Sequence, residues 1–176
     1  AEVTHTGNRY LFAWQPTVSF SADNLAKTYG DDLTEILPVA YSVSGLHPGA
    51  SGAFLADTAA DAFSGVPSVT SAGAAANASV AGSPYLVDVA VGTLNALNGY
   101  QLALVDGSLT VDPLVAVLAG TRVYDATQTI SGGDLSVSKL AAGDSVGLTG
   151  SGTLVSKNVG DQAITDFGSL VLSSGN

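Results

Sequence analysis

The chain has 176 residues, 46% of them hydrophobic and 11% charged, with 15 acidic against 5 basic side chains and a formal charge of −10. That is enough chain for one domain or two small ones around a real core, and too apolar for a disordered polar tract. The acidic balance, with no Lys/Arg cluster to offset it, disfavours nucleic acid and anionic membrane surfaces as partners, and the absence of cysteine excludes disulfides, thiolate metal sites and thiol nucleophiles.

No run of 18 apolar residues is present, so no membrane insertion is expected. No charged-then-apolar leader opens the sequence, and the lack of Met, at position 1 as elsewhere, suggests a piece of a longer chain. In chain order, Arg9-Tyr-Leu-Phe-Ala-Trp14 is an aromatic-rich extended run bounded by Thr6-Gly7-Asn8 and Pro16, and reads as a strand. Val18–Ala22 alternates and leads to Lys27-Thr-Tyr-Gly-Asp-Asp32, where Gly30-Asp31 predicts a turn. Tyr41–Ser44 is a short strand closed by Gly45. Between 47 and 82 small residues dominate, with Pro48 and Pro67 as breakers. A short helix is predicted within Ser51–Phe63, with Phe54, Leu55 and Ala62/Phe63 as its apolar face, and Ala72–Ala81 reads as a loop.

Tyr85–Val91 returns to strand. In Gly99–Pro113, Asp106-Gly107 separates two extended runs, the pattern of a hairpin, and Pro113 closes the element. From Leu114 short β-prone runs recur about every ten residues: 115–118, 121–124, 129–130, 135–137, 146–148, 152–155, 163–165 and 170–172. That rhythm is the signature of a small sandwich-like module. The expectation is a mainly β chain of two small modules. The first carries one short helix, with a β-grasp-like arrangement among its options.

An internal echo links the two halves: Lys27-Thr-Tyr29-Gly30 and Arg122-Val-Tyr124-Asp125 share a basic residue, a spacer, Tyr and a turn residue. With Gly-Tyr100 through Asp106-Gly107 to Pro113, the first half resembles the MBG module of the YGX type. The second half is similar to the YDG module, through Arg122–Thr127, Gly152 and Lys157-Asn158-Val-Gly160, with Ala126 where that family usually has Gly. Such modules occur in tandem in large bacterial surface adhesins of the filamentous-haemagglutinin kind. The resemblance implies residues 1–16 as a strand continuing from a preceding segment, 17–113 as the MBG-like module and 114–176 as the YDG-like module. It further implies that the last strand of the YDG-like module is missing or supplied by a neighbour. A stalk role outside the cell or on its surface follows, with neighbouring modules of the same polypeptide as partners.

Chemistry finds little footing. His5 lies in the N-terminal tail and His47 in the Gly45–Gly49 turn, with no Gly-x-Ser-x-Gly elbow and no triad pattern. Trp14 is the single Trp, too little for a lined sugar cleft. Asp31, Asp32, Asp57, Asp61, Asp106 and Asp112 offer oxygens for weak calcium sites, yet no Asp-x-Asp-x-Asp-Gly loop exists, and solvated turn aspartates are the plainer reading. An amide cross-link from Lys157 to Asn158 beside Asp161 fails on geometry, since adjacent strand residues face opposite ways; Lys27 or Lys139 with a distant Asn stays open. Tyr29 and Tyr124 are expected to pack beside their turns and send their hydroxyls to the backbone. The expectation is therefore a non-enzymatic spacer without a cofactor. The alternative is a module binding a glycan or surface protein through loops in 47–82.

Overall fold

The computed structural model describes residues 15–51 and 55–174. The expected strand Arg9–Trp14 and the expected helix-face residue Phe54 lie outside them. The chain is mainly β, in several small sheets with one short α-helix among the described residues, as the composition and strand rhythm predict. Its strands are β1 (Thr17–Ala22), β2 (Leu25–Thr28), β3 (Tyr41–Ser44), β4 (Phe63–Ser64), β5 (Ser68–Thr70), β6 (Tyr85–Ala90), β7 (Asn95–Ala96), β8 (Gln101–Val105) and β9 (Gly107–Asp112). They continue with β10 (Val117–Gly120), β11 (Thr129–Ser131), β12 (Leu135–Ser138), β13 (Val146–Thr149), β14 (Ser151–Leu154), β15 (Ile164–Asp166) and β16 (Val171–Ser174). The helix, α1, is Ala59–Ala62.

Contacts divide the chain into two compact units that are not continuous in sequence. One comprises Ala1–Leu25, Thr34–Ala74 and Pro84–Leu109, the other Ala26–Leu33, Ala75–Ser83 and Thr110–Asn176.

In the first unit β1 is central, antiparallel to β3 and parallel to β8, with Thr17 opposite Gln101 and Ser21 opposite Val105. Parallel neighbours need a long crossover, and α1 lies in it, an arrangement compatible with the β-grasp-like option. The alternation of β1 aims Val18 and Phe20 inward, both fully buried. Phe20 meets Phe63 edge-on, with ring centroids 4.8 Å apart, a favourable aromatic geometry. Val69 on β5, Val87 and Val89 on β6, and Leu109 on β9 are buried too. Burying aliphatic side chains of this size contributes about 1.5–3 kcal/mol each.

The short helix expected within Ser51–Phe63 is present as a single turn, but its expected apolar face fails: Leu55 precedes it and is 90% exposed. What nucleates the turn is polar: Thr58 and Asp61 form a capping box, and only Ala62 is buried. The Asp106-Gly107 hairpin is also absent. β8 pairs with β1, whereas the first half of β9 pairs antiparallel with β6, Tyr85 opposite Leu109 and Val87 opposite Gly107. The chain turns a corner between sheets instead of doubling back. Gly107 does not take a positive φ; a Cβ there would stand 2.7 Å from the carbonyl oxygen of Asp23. Close backbone approach, not turn geometry, demands this glycine.

In the second unit β9 continues beyond Leu109 beside β2, and Val111 is buried. Three small antiparallel sheets follow: β10 with β12, β11 with β14 and β15, and β13 with β16. Ile130 on β11 is buried opposite Gly152. The expected run 121–124 is not a strand; Arg122 folds back along the following turn, and the backbone there is irregular.

Candidate functional site

The two echoed motifs are built alike. Lys27 is 5% exposed, and its Nζ donates to the carbonyl oxygens of Asp31 at 2.9 Å and Ala75 at 2.5 Å. Between them the chain makes a turn: Asp31 N donates to Thr28 O at 3.0 Å, and Thr28 N to Asp31 Oδ2 at 3.1 Å. Gly30 occupies the third turn position with φ +100°, the left-handed conformation that favours glycine. Its N–H donates to Ala76 O at 3.1 Å, and Tyr29 N to Asp112 O at 2.8 Å. Burial pushes the Lys27 ammonium down, and Asp32 and Asp31 pull it partly back up.

At the second motif Arg122 pairs with Asp125, and its Nη2 donates to Thr127 O at 2.5 Å. Asp125 Oδ1 accepts from Thr127 N at 2.9 Å and Thr127 Oγ1 at 2.8 Å. These donors, the Thr127 amide first and then Arg122, hold the Asp125 carboxyl down at about 2. Ala126 sits in this turn at φ +62°. In both motifs a long cation reaches forward over its own turn, while a carboxylate caps a nearby N–H.

The tyrosines depart from expectation. The Tyr29 hydroxyl donates to a carboxylate, Asp144 Oδ1 at 3.1 Å, rather than to backbone, which raises the phenol pKa. Tyr124 is 58% exposed and does not pack down. Tyr100, by contrast, is buried, and its hydroxyl donates to Asp57 Oδ2 at 2.6 Å and accepts from His47 N at 2.9 Å. Asp57 N donates to His47 O at 2.9 Å, so one phenol ties two loop segments together. Burial, then the Asp57 bond, raises the Tyr100 pKa. His47 Nδ1 accepts from Gly49 N at 3.1 Å, a turn-making bond.

Several carboxylates considered for calcium have protein donors. Asp31 caps Thr28, Asp106 Oδ1 accepts from Val89 N at 3.0 Å, and Asp61 accepts from Thr58 N and Oγ1 at 2.8 and 2.6 Å. Asp32 lies close enough to Lys27 to bias its charge, and Asp112 contributes its backbone oxygen to Tyr29. Among the described residues no three His, Asp or Glu side chains gather as a metal would require. Lys157 and Asn158 lie in an exposed bend; Asn158 N donates to Ser156 Oγ at 3.0 Å, and Gly160 takes φ +117°.

One concavity stands out. Within residues 116–167 of the second unit lies a groove of about 750 Å³, within the range of ligand pockets. Leu118, Leu135, Leu154 and Ile164 line it with half-buried aliphatic side chains, and Tyr124, Lys157 and Phe167 are exposed along it. Gln162 Oε1 is buried there without a hydrogen-bond partner among the described residues. Sequence reasoning missed this groove, and it missed Asp144 as the partner of Tyr29 and Asp57, weighed only for calcium, as the partner of Tyr100. The tyrosines and these partners are 115 and 43 residues apart, too far for any local pattern to join them.

Fold and motifs together define a mainly β chain in which the signature residues build turns. Residues 107–176 match the model of the YDG domain, so a YDG domain is found from β9 onward. No curated protein matches the chain, and no solved structure does.

Proposed function

We propose that this chain is a non-enzymatic structural spacer, part of the stalk of a large secreted or cell-surface bacterial adhesin, in which an MBG-like module precedes the YDG domain. The observation that carries this reading is where the signature side chains bond. Lys27 donates to the backbone carbonyls of Asp31 and Ala75, and Arg122 and Asp125 bond to each other and to Thr127, so these side chains hold turns in place. An array of such modules holds a distal binding region away from the cell, and the formal charge of −10 keeps it soluble. Its partners are the neighbouring modules of the same polypeptide.

Surface display tests the reading. One, two or three copies are placed between a membrane anchor and a reporter binding tip, and capture of a bead-bound ligand is measured. A spacer gives capture that grows with copy number, and no capture when the tip is removed. Capture of glycans or cells by the tipless chain would instead favour recognition through the 47–82 loops, and would sink the spacer reading.

A further inference from the structure

An asparagine side chain can close on its own backbone when the nitrogen of the next residue reaches its Cγ, and glycine in that next position has no Cβ to block the approach. Of the asparagines in the sequence only Asn98 is followed by glycine. The pair forms an exposed turn between β7 and β8: Asn98 has φ +46°, Gly99 has φ +84°, and Tyr100 N donates to Leu97 O at 2.9 Å. Gly99 N has no acceptor among the described residues, and a Cβ on Gly99 would meet nothing within 4 Å. Reaching Cγ takes a rotation about the Asn98 backbone, and β7, only two residues long, is a short element that opens easily. The sole Asp-Gly step is closed by contrast. Asp106 Oδ1 accepts from Val89 N at 3.0 Å, and a Cβ on Gly107 would stand 2.7 Å from Asp23 O.

The Asn98 amide also ties the turn to α1. Its Nδ2 donates to Asp61 O at 2.9 Å, beside the bond from Leu97 N to Ala62 O at 2.8 Å. Two residues further on, the Tyr100 phenol holds Asp57 and His47. Residues 97–100 thus join the end of α1 to the loop segments that Tyr100 gathers.

We infer that Asn98 is a self-modification site, and that its conversion loosens the hold of this turn on α1. Gly99 N attacks Asn98 Cγ; the N–Cγ bond forms, the Cγ–Nδ2 bond breaks, and Nδ2 leaves as ammonia with the Gly99 amide proton. Water then opens the cyclic imide, at Cγ to give aspartate or at the residue 98 backbone carbonyl to give isoaspartate. No electrons change hands. Either product puts a carboxylate, which cannot donate, where Nδ2 met the Asp61 carbonyl. Isoaspartate also adds a methylene to the backbone between Leu97 and Tyr100. The inference stands apart from the spacer reading, because it requires only water and time.

The test incubates the folded whole chain in neutral and mildly alkaline buffer, with the urea-unfolded chain alongside, and follows ammonia release and peptide maps that resolve isoaspartate. Aspartate and isoaspartate are expected at position 98 in the folded chain, faster at the higher pH because the attacking nitrogen must lose its proton. Asn24, Asn77, Asn95 and Asn158 are expected to remain amides, and Asp106 to remain unisomerised. Asn98→Gln, whose longer side chain closes a less favourable ring, is expected to abolish the ammonia release. Circular dichroism checks its folding, and Asn98→Ser replaces it if it unfolds. Asn98→Asp mimics the lost donor, and both it and the aged wild type are expected to show a folded-to-unfolded ratio lower by about fivefold in denaturant. Three results would each overturn the inference: Asn98 intact in the folded chain while it converts in urea, ammonia release that survives Asn98→Gln, or an aged chain as stable as the fresh one.

Discussion

At Ala126 a residue with a Cβ is held at φ +62°, a conformation that costs an L-residue about 1–2 kcal/mol and glycine almost nothing. Set against the extra unfolded-state freedom of glycine, Ala126→Gly is expected to stabilise the chain by roughly 0.5–1 kcal/mol, read as a rise in the unfolding midpoint in urea. Beside it, Asp125 makes a signed prediction. Its carboxyl sits at about 2 in the folded chain against an ordinary 3.8, so the folded state favours the ionised form. The stability this supplies is complete above the ordinary value and is lost as pH falls through about 2. In thermal melts Asp125→Asn should therefore lie below wild type at pH values well above 3.8, and the gap should close toward pH 2. A gap that persists there would remove the Arg122–Asp125–Thr127 cluster from the account.

Between elements, the corner at Asp106-Gly107 shows what local pattern can and cannot carry. Alternation marked β8 and β9 as strands, and in β9 the alternate residues Leu109 and Val111 are indeed buried, whereas β8 is only half-buried along its middle. The pairing was illegible: an Asp-Gly step flanked by strands looks the same whether the chain doubles back or crosses to another sheet. Here the choice lies with distant partners, β1 for β8 and β6 for β9. Asp106 supports the crossing by accepting from Val89 N at 3.0 Å. Asp106→Ala leaves that part-buried N–H unpaired, and about 1–2 kcal/mol of stability should be lost in denaturant unfolding. Asp106→Asn keeps an acceptor oxygen and should recover most of it. Equal losses for the two variants would mean that charge, rather than the bond to Val89, matters at this corner. The apolar face of the short helix was over-read for a related reason. Apolar spacing suggested a face, but Leu55 is solvent-exposed, and the turn that does form is held by the Thr58–Asp61 capping box.

On the scale of the molecule, fold class was legible and the site was only partly so. Strand rhythm, few charges and abundant small residues marked a mainly β chain, and the echoed basic-x-Tyr motifs pointed to two turns of one design. What the pattern lacked was the third dimension: Tyr29 reaches Asp144, Tyr100 reaches Asp57, and an aliphatic groove opens among β10, β14 and β15. The aspartates show the same divide. As a tally they suggest cation sites, but Asp31, Asp61 and Asp106 each accept from a backbone N–H of the chain itself. Such bonds stabilise turns with no ion present. The central claim, a spacer made by its own side chains and needing no ligand to fold, is tested most directly by calorimetric unfolding of the whole chain with millimolar calcium and then with excess chelator. The account predicts superimposable transitions. A midpoint that rises with calcium and falls back with chelator would contradict it, because an ion that binds the folded state must stabilise it, and the carboxylates would then be holding metal rather than turns.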